Sequence, residues 1–250
     1  MNKHQPNLND SQLAAIRHNT GPARVLAGPG SGKTLVLTHR IRYLVDECHV
    51  NPANLLVITF TRAAAAEMKS RCYELMGGRC AAVTFGTFHS VYFQILRHAY
   101  RMKTDVIITE ERKNFLLREI VDKLELDIED ENDFVQGMIG EISLVKGEML
   151  DLAHYYAKNC SEEVFRQVYS AYQEALLREQ KIDFDDIMVM CLELLQQRPD
   201  ILAGWQKRFQ YILIDEFQDI NLIQYRIVRL LAAPEDNLFI VGDDDQSIYR

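Results

Sequence analysis

The 250 residues include one tryptophan, six prolines and five cysteines (Cys48, Cys72, Cys80, Cys160, Cys191), and no two cysteines form a Cys-x-x-Cys pair. An odd, scattered set argues against a thiolate metal cluster or a disulfide framework. Reduced thiols, mostly buried as small apolar groups, are expected instead. No apolar run approaches the roughly 20 residues of a membrane-spanning helix. The start, Met1-Asn2-Lys3-His4-Gln5-Pro6-Asn7, is polar and lacks the apolar stretch of a secretion signal. A cytoplasmic protein with no membrane partner is expected. Internal repeats and low-complexity tracts are absent. Positive charge is also short: 28 Lys and Arg stand against 36 Asp and Glu, a net of −8. That balance weighs against a nucleic-acid partner, because phosphate contacts draw on Lys and Arg. What remains is ordinary globular composition, 48% apolar and 26% charged, with core enough for one large domain or two smaller ones.

Five short apolar runs read as buried strands: residues 24–27, 55–60, 82–85, 211–214 and 238–241. They are continuous rather than alternating, as strands covered on both faces are. Helical patterns follow them. Leu37, Ile41, Leu44 and Val45 form one stripe within 33–45, residues 63–76 are rich in alanine, and Phe88, Val91, Tyr92, Ile95 and Leu96 hold helical spacing. Strand–helix alternation predicts a mostly parallel α/β sheet. From about 104 to 197 nearly everything reads as helix, with an acidic, solvated connection at 127–133. This predicts an all-helical subdomain inserted between two strands of the sheet.

Ala27-Gly28-Pro29-Gly30-Ser31-Gly32-Lys33-Thr34 is the strongest local signal. It follows a strand and opens a helix, the context a P-loop requires. Its backbone N–H groups can form an anion nest at a helix N-terminus. Lys33 would meet the β- and γ-phosphates, and the Thr34 hydroxyl would ligate Mg²⁺. A P-loop needs a partner carboxylate at a strand end, and Ile212-Leu213-Ile214-Asp215-Glu216 supplies one. Asp215 would hold Mg²⁺ and Glu216 would orient and deprotonate the attacking water. After the last strand, Gly242-Asp243-Asp244-Asp245-Gln246 offers acids that read as helix caps. It also offers an amide, Gln246, suited to reporting on a γ-phosphate.

These motifs together resemble the superfamily 1 DNA helicases of the UvrD/Rep/PcrA type. Leu8-Asn9-Asp10-Ser11-Gln12 looks like that family's Q motif, residues 27–34 its motif I, 59–68 motif Ia, Gly86-Thr87-Phe88-His89-Ser90 the next DNA-contacting motif, 215–219 motif II and 241–250 the start of motif III. The resemblance implies a RecA-like P-loop domain over residues 1–104 and 182–250, with a helical insertion at 105–181. It implies that Gln12 reads the adenine edge and that Gln246 couples the nucleotide site to DNA. Phe60, His89 and Tyr249 would stack on bases of a single strand, while Thr59, Thr61, Arg62, Thr87 and Ser90 would meet phosphates. Phe88 fits the buried stripe of its helix and reads as core. Asp183-Phe184-Asp185-Asp186 resembles the segment returning to the motor domain, its acids capping the next helix.

The implied activity is ATP-dependent, Mg²⁺-requiring translocation on single-stranded DNA, with unwinding at single-strand/duplex junctions. By analogy it runs 3′ to 5′, in repair or replication restart. Two departures are visible. Leu35 stands where many relatives carry an arginine near the adenine, and Arg250 falls inside motif III. The chain therefore reads as an N-terminal part whose partner, a second motor domain, would supply arginine fingers. Alternatives are a helicase subunit of a RecB/AddA-type helicase-nuclease and a DNA-binding module without turnover. No Asn-Lys-x-Asp or Leu-Ser-Gly-Gly-Gln element supports a GTPase or a transporter ATPase. The charge objection also weakens: residues 101–200 hold 12 basic and 23 acidic side chains, a net of −11, leaving 16 against 13 elsewhere, a net of +3.

Overall fold

The computed structural model describes residues 8–243 apart from Pro29 and Asp127. The apolar runs become five strands: β1 (Ala23–Leu26), β2 (Leu55–Thr59), β3 (Thr84–Thr87), β4 (Tyr211–Ile214) and β5 (Leu238–Gly242). They form one sheet of order β1-β5-β4-β2-β3, and every pairing is parallel. Successive side chains on a strand point to opposite faces. Leu55, Leu56, Val57 and Ile58 are all fully buried, so both faces of β2 are covered, as its unbroken apolar run predicts. The third strand lies two residues later than its apolar run suggests. Val83 is still in a turn closed by its N–H to the Cys80 carbonyl at 3.0 Å, and the ladder runs from Thr84 to Thr87 against β2.

The chain divides into two compact units. The first holds residues 8–91, 198–220 and 228–243. Its helices are α1 (Asp10–Arg17), α2 (Lys33–Asp46) and α3 (Arg62–Met76), together with the start of α4 (Phe88–Tyr100). Leu37, Ile41 and Leu44 of α2 and Met68 and Cys72 of α3 meet Val57, Leu213 and Phe239 of the sheet in one core.

The second unit holds residues 92–197 and 221–227. After the rest of α4 it contains α5 (Glu110–Lys123), α6 (Glu131–Gly147), α7 (Glu162–Glu179) and α8 (Phe184–Gln197). Then α9 (Pro199–Arg208) belongs to the first unit, and α10 (Leu222–Ala232) begins in the second and ends in the first. Leu117, Val135, Met138, Ile142, Phe165 and Tyr172 build the second core. Backbone bonds between 106–108 and Ile182 tie the feet of the insertion together, next to the bounds read from sequence. The compact unit extends past those bounds because α8 is bonded to α6 through buried charge. Lys146 Nζ donates to Asp183 at 2.9 Å and to Asp186 at 2.6 Å, while Asp183 and Asp186 cap α8 reciprocally through each other's backbone N–H. The acidic connection is also shorter than read: Asp130 caps α6 by accepting from Asn132 and Asp133 N–H, and the helix starts at Glu131.

Candidate functional site

Because every strand runs the same way, every segment leaving a strand's C-terminus emerges at one edge of the sheet. That edge is where open α/β sheets bind ligands. The segment after β1 is the P-loop, and the segments after β4 and β5 are Asp215–Asp219 and Asp243. Those after β2 and β3 are Phe60–Arg62 and Phe88–Ser90. The strand order places the first three together and the last two beside them.

The P-loop turns on glycine. Gly30 has φ 75° and Gly32 has φ 86°, left-handed values that L side chains rarely adopt. Gly32 is the N-cap of α2. A Cβ there would also lie 3.2 Å from Gln12 Nε2, so the glycine lets Gln12 approach. Ser31 closes the turn with its N–H and hydroxyl on the Gly28 carbonyl, at 3.2 and 2.6 Å. Gln12 is anchored from both ends. Its Oε1 accepts the Asn9 N–H at 3.0 Å, and its Nε2 donates to the Ser31 carbonyl at 3.0 Å. A side-chain amide has two donors and two acceptor positions, and these two bonds use one of each. Ala27 continues the β1 ladder onto the Gly242 carbonyl at 3.0 Å. Thr34 is half-buried in the first turn of α2. Pro29, Gln246 and Tyr249 lie outside the described residues.

Lys33 reaches across to the end of β4. Its Nζ lies 2.9 Å from Glu216 Oε2, joining residues 183 apart in sequence. Gln218, which sequence reasoning passed over, completes the arrangement. Its Nε2 donates to Glu216 Oε2 at 2.8 Å, and its Oε1 accepts the Asp243 N–H at 3.0 Å. Glycine at 242 makes room for this bond: a Cβ there would stand 2.9 Å from Gln218 Oε1 and push the amide aside. The motif reading Asp-Glu-Phe-Gln carried the residue, but its bond to the end of β5 spans 25 residues and has no local signature.

The two carboxylates differ electrostatically. Asp215 is buried, and its Oδ1 accepts the Glu216 N–H at 3.1 Å. Burial, then the neighbouring Glu216 charge, raise its pKa above the ordinary carboxylate value. Burial also acts to raise Glu216, but hydrogen bonds from Gln218 and Lys33 and the Lys33 charge outweigh it, so its pKa is lowered. Glu216 is thus set up as a carboxylate. Asp215, a buried oxygen ligand whose charge lacks full compensation, has the donor chemistry that suits a hard divalent cation.

Beyond β2, Phe60 is 38% exposed and meets Phe88, 2% exposed, edge to face with ring centroids 5.6 Å apart. Phe88 is therefore a pedestal in the core and Phe60 the presented ring. Thr61 caps α3 by accepting the Ala64 N–H at 3.0 Å. Arg62 is exposed on the first turn of α3, and His89 is half-buried on that of α4. The remaining hydroxyls are less available. Thr59 is buried and donates to the Thr61 carbonyl at 3.0 Å. Thr87 is buried too, and it and Ser90 cap α4 through each other's backbone N–H at 2.8 and 3.3 Å. Ser90 itself is exposed.

The sheet, the glycine turn and the strand-end carboxylates define a P-loop α/β domain of RecA-like type. Residues 8–250 match the UvrD/REP helicase N-terminal domain, and the chain belongs to that family. It is similar to the ATP-dependent DNA helicase PcrA of Leuconostoc citreum, 40% identical over 249 residues, covering 97% of this chain and 33% of that protein. It is similar to the PcrA of Bacillus subtilis, 39% identical with the same coverage, and to that of Staphylococcus aureus, 41% identical over all of this chain and 35% of the relative. The chain thus spans about a third of the length of these curated relatives.

Proposed function

We propose that this chain forms the nucleotide-binding and DNA-contacting part of an ATP-dependent DNA helicase. The Lys33–Glu216 contact at the P-loop carries the reading. It brings a phosphate-binding cation and a carboxylate of lowered pKa to one point, beside a buried Asp215. In this reading the P-loop N–H groups and Lys33 take the phosphates, and Gln12 offers its remaining donor and acceptor to the adenine edge. Thr34 and Asp215 hold Mg²⁺, which neutralises phosphate charge when bound. Lys33 leaves Glu216 for the γ-phosphate. Glu216, retained by Gln218, then orients water and accepts its proton. Phe60 and His89 stack on bases while Thr61, Arg62 and Ser90 meet phosphates, which holds a strand without reading its sequence.

For the whole protein we propose 3′-to-5′ translocation on single-stranded DNA and unwinding at junctions, with a second motor domain supplying arginines. The setting we propose is cytoplasmic DNA repair or replication restart. Among the described residues no helix is long and apolar enough to cross a membrane. Fluorescence anisotropy with labelled single-stranded DNA, with and without a Mg-bound ATP analogue, tests the coupling. Affinity that shifts with nucleotide is expected; affinity that ignores nucleotide would reduce the chain to a DNA-binding module.

A further inference from the structure

A guanidinium lies buried in the first unit, where its described partners are carbonyls rather than carboxylates. Arg40 of α2 is 2% exposed. Its Nη1 donates to the carbonyls of Ala15 at 3.3 Å, Ile16 at 3.4 Å and His18. These belong to the C-terminal end of α1 and its cap, where helix carbonyls lack intrahelical partners and the dipole end is negative. The guanidinium also lies 4.2 Å from the ring centroid of Phe239 on β5. Burial pushes its pKa down to about 10, so it stays charged at neutral pH.

Helix α1 has eight residues, well short of the ~12–15 at which an isolated helix becomes even marginal. Its position rests on tertiary ties. Ile16 is buried, Arg40 grips the C-terminal end, and at the other end Gln12 is bonded to the P-loop carbonyl of Ser31. The gripped carbonyls of Ala15, Ile16 and His18 lie three to six residues after Gln12 on the same short helix and its cap, about one to two turns away, so loosening that end shifts the amide on the other.

We propose that Arg40 is a positioning residue for nucleobase recognition: it seats α1 on the sheet and so fixes the Gln12 amide at the P-loop. This rests on the reading of Gln12 given above. Without the seat, phosphate contacts made by the loop and Lys33 persist, while the base contacts made by Gln12 lose their alignment.

The test is calorimetric titration of the chain with Mg-bound AMPPNP and, as a base-free probe, Mg-bound tripolyphosphate. Arg40→Lys keeps charge and stem but loses the fork. It should weaken AMPPNP about tenfold, the worth of one to two lost hydrogen bonds, and leave tripolyphosphate within about twofold. Arg40→Met is measured in parallel in case one variant fails to fold. If Arg40 acts through Gln12, the double variant with Gln12→Ala binds AMPPNP no more weakly than Gln12→Ala alone. Equal loss for both ligands, loss for neither, or full additivity overturns the proposal. A parent chain that binds both probes equally removes base reading by Gln12 and this inference with it. A parent that binds neither instead refutes the P-loop reading.

Discussion

The Lys33–Glu216 pair makes two substitutions act with opposite sign on nucleotide affinity. Lys33→Ala removes charge-assisted hydrogen bonds to phosphate, each worth roughly 1.5–3 kcal/mol net. Part of that is already offset in the parent, because Lys33 must first leave Glu216. The contact is 2.9 Å between side chains 13% and 39% exposed, and for a pair open to water on its Glu216 side we take roughly 0.2–1 kcal/mol. For one such bond the balance, roughly 0.5–2.8 kcal/mol, corresponds to about 2- to 100-fold weaker binding of Mg-ATP at ~1.4 kcal/mol per tenfold. Glu216→Gln removes the competitor without touching the phosphate site. Affinity should therefore rise by about 1.5- to 5-fold, while hydrolysis falls by on the order of 10²–10⁴ as the proton acceptor is lost. Equilibrium titration with a fluorescent ATP analogue reads both effects. The gain in Glu216→Gln should also shrink with added salt, because the exposed pair it removes is screened. If Glu216→Gln binds nucleotide more weakly than the parent, or Lys33→Ala binds as well, the proposed competition for Lys33 is wrong.

Two further substitutions test the rest of the molecule. Lys146→Met leaves buried Asp183 and half-buried Asp186 without their cation, at a cost of roughly 3–5 kcal/mol read by thermal unfolding. Burial acts to raise Asp183 but Lys146 outweighs it, so its folded pKa is lowered; Asp186 is raised, by burial and then by Asp183. Asp183 therefore adds stability above the ordinary carboxylate pKa that is lost only as pH falls through its lower folded value. Asp186 costs stability near neutrality and regains it as pH falls through its folded value. With the cation gone both carboxylates move upward, so the deficit of Lys146→Met should narrow from pH 8 to pH 5; a constant deficit would contradict this account. Phe60→Ala should weaken single-stranded DNA binding by ~1–3 kcal/mol with little change in unfolding temperature, whereas Phe88→Ala should lower stability by ~3–5 kcal/mol. The reverse pattern would exchange the roles of the two rings.

The chemistry-bearing motifs are legible because each is local: an apolar strand, a turn with the residues that turn needs, then a helix start. Parallel pairing follows from continuous apolar runs, and pairing in parallel is what gathers the strand ends. The buried charges have no such signature. Arg40 sits on a helix where residues 36–41 and Leu44 are all buried. Its middle is therefore covered nearly all round, and the stripe of Leu37, Ile41 and Leu44 understates this. Amphipathic reasoning sends the arginine to water; the structure sends it to the carbonyl end of α1, about 24 residues earlier in the chain. Glu141 is similar. Buried on α6, it accepts Tyr155 Oη at 2.7 Å and the N–H groups of Lys158 and Asn159, so a loop supplies the compensation a cation would otherwise give. Such partners are set by how elements meet, which periodicity does not encode.

Strand order also bears on how a nucleotide change would reach DNA. In the sheet β4 lies between β5 and β2, and neighbouring strands are ~4.8 Å apart. The Asp215 N–H donates to the Ile58 carbonyl at 3.0 Å, one residue before Thr59 and two before Phe60. On the other side, Gln218 ties Glu216 to the backbone at Asp243, the first residue after β5. The carboxylate edge is therefore hydrogen-bonded on one flank to the strand that presents Phe60 and on the other to the strand leading toward Gln246. If Glu216 changes partner when Lys33 takes a phosphate, both flanks are one hydrogen bond away, and coupling requires no long chain of intermediates. The acidity that weighs against DNA binding lies elsewhere, concentrated at 101–200 with a net of −11. The rest of the chain, which includes Phe60, Arg62 and His89, holds 16 basic against 13 acidic side chains, a balance compatible with phosphate contacts.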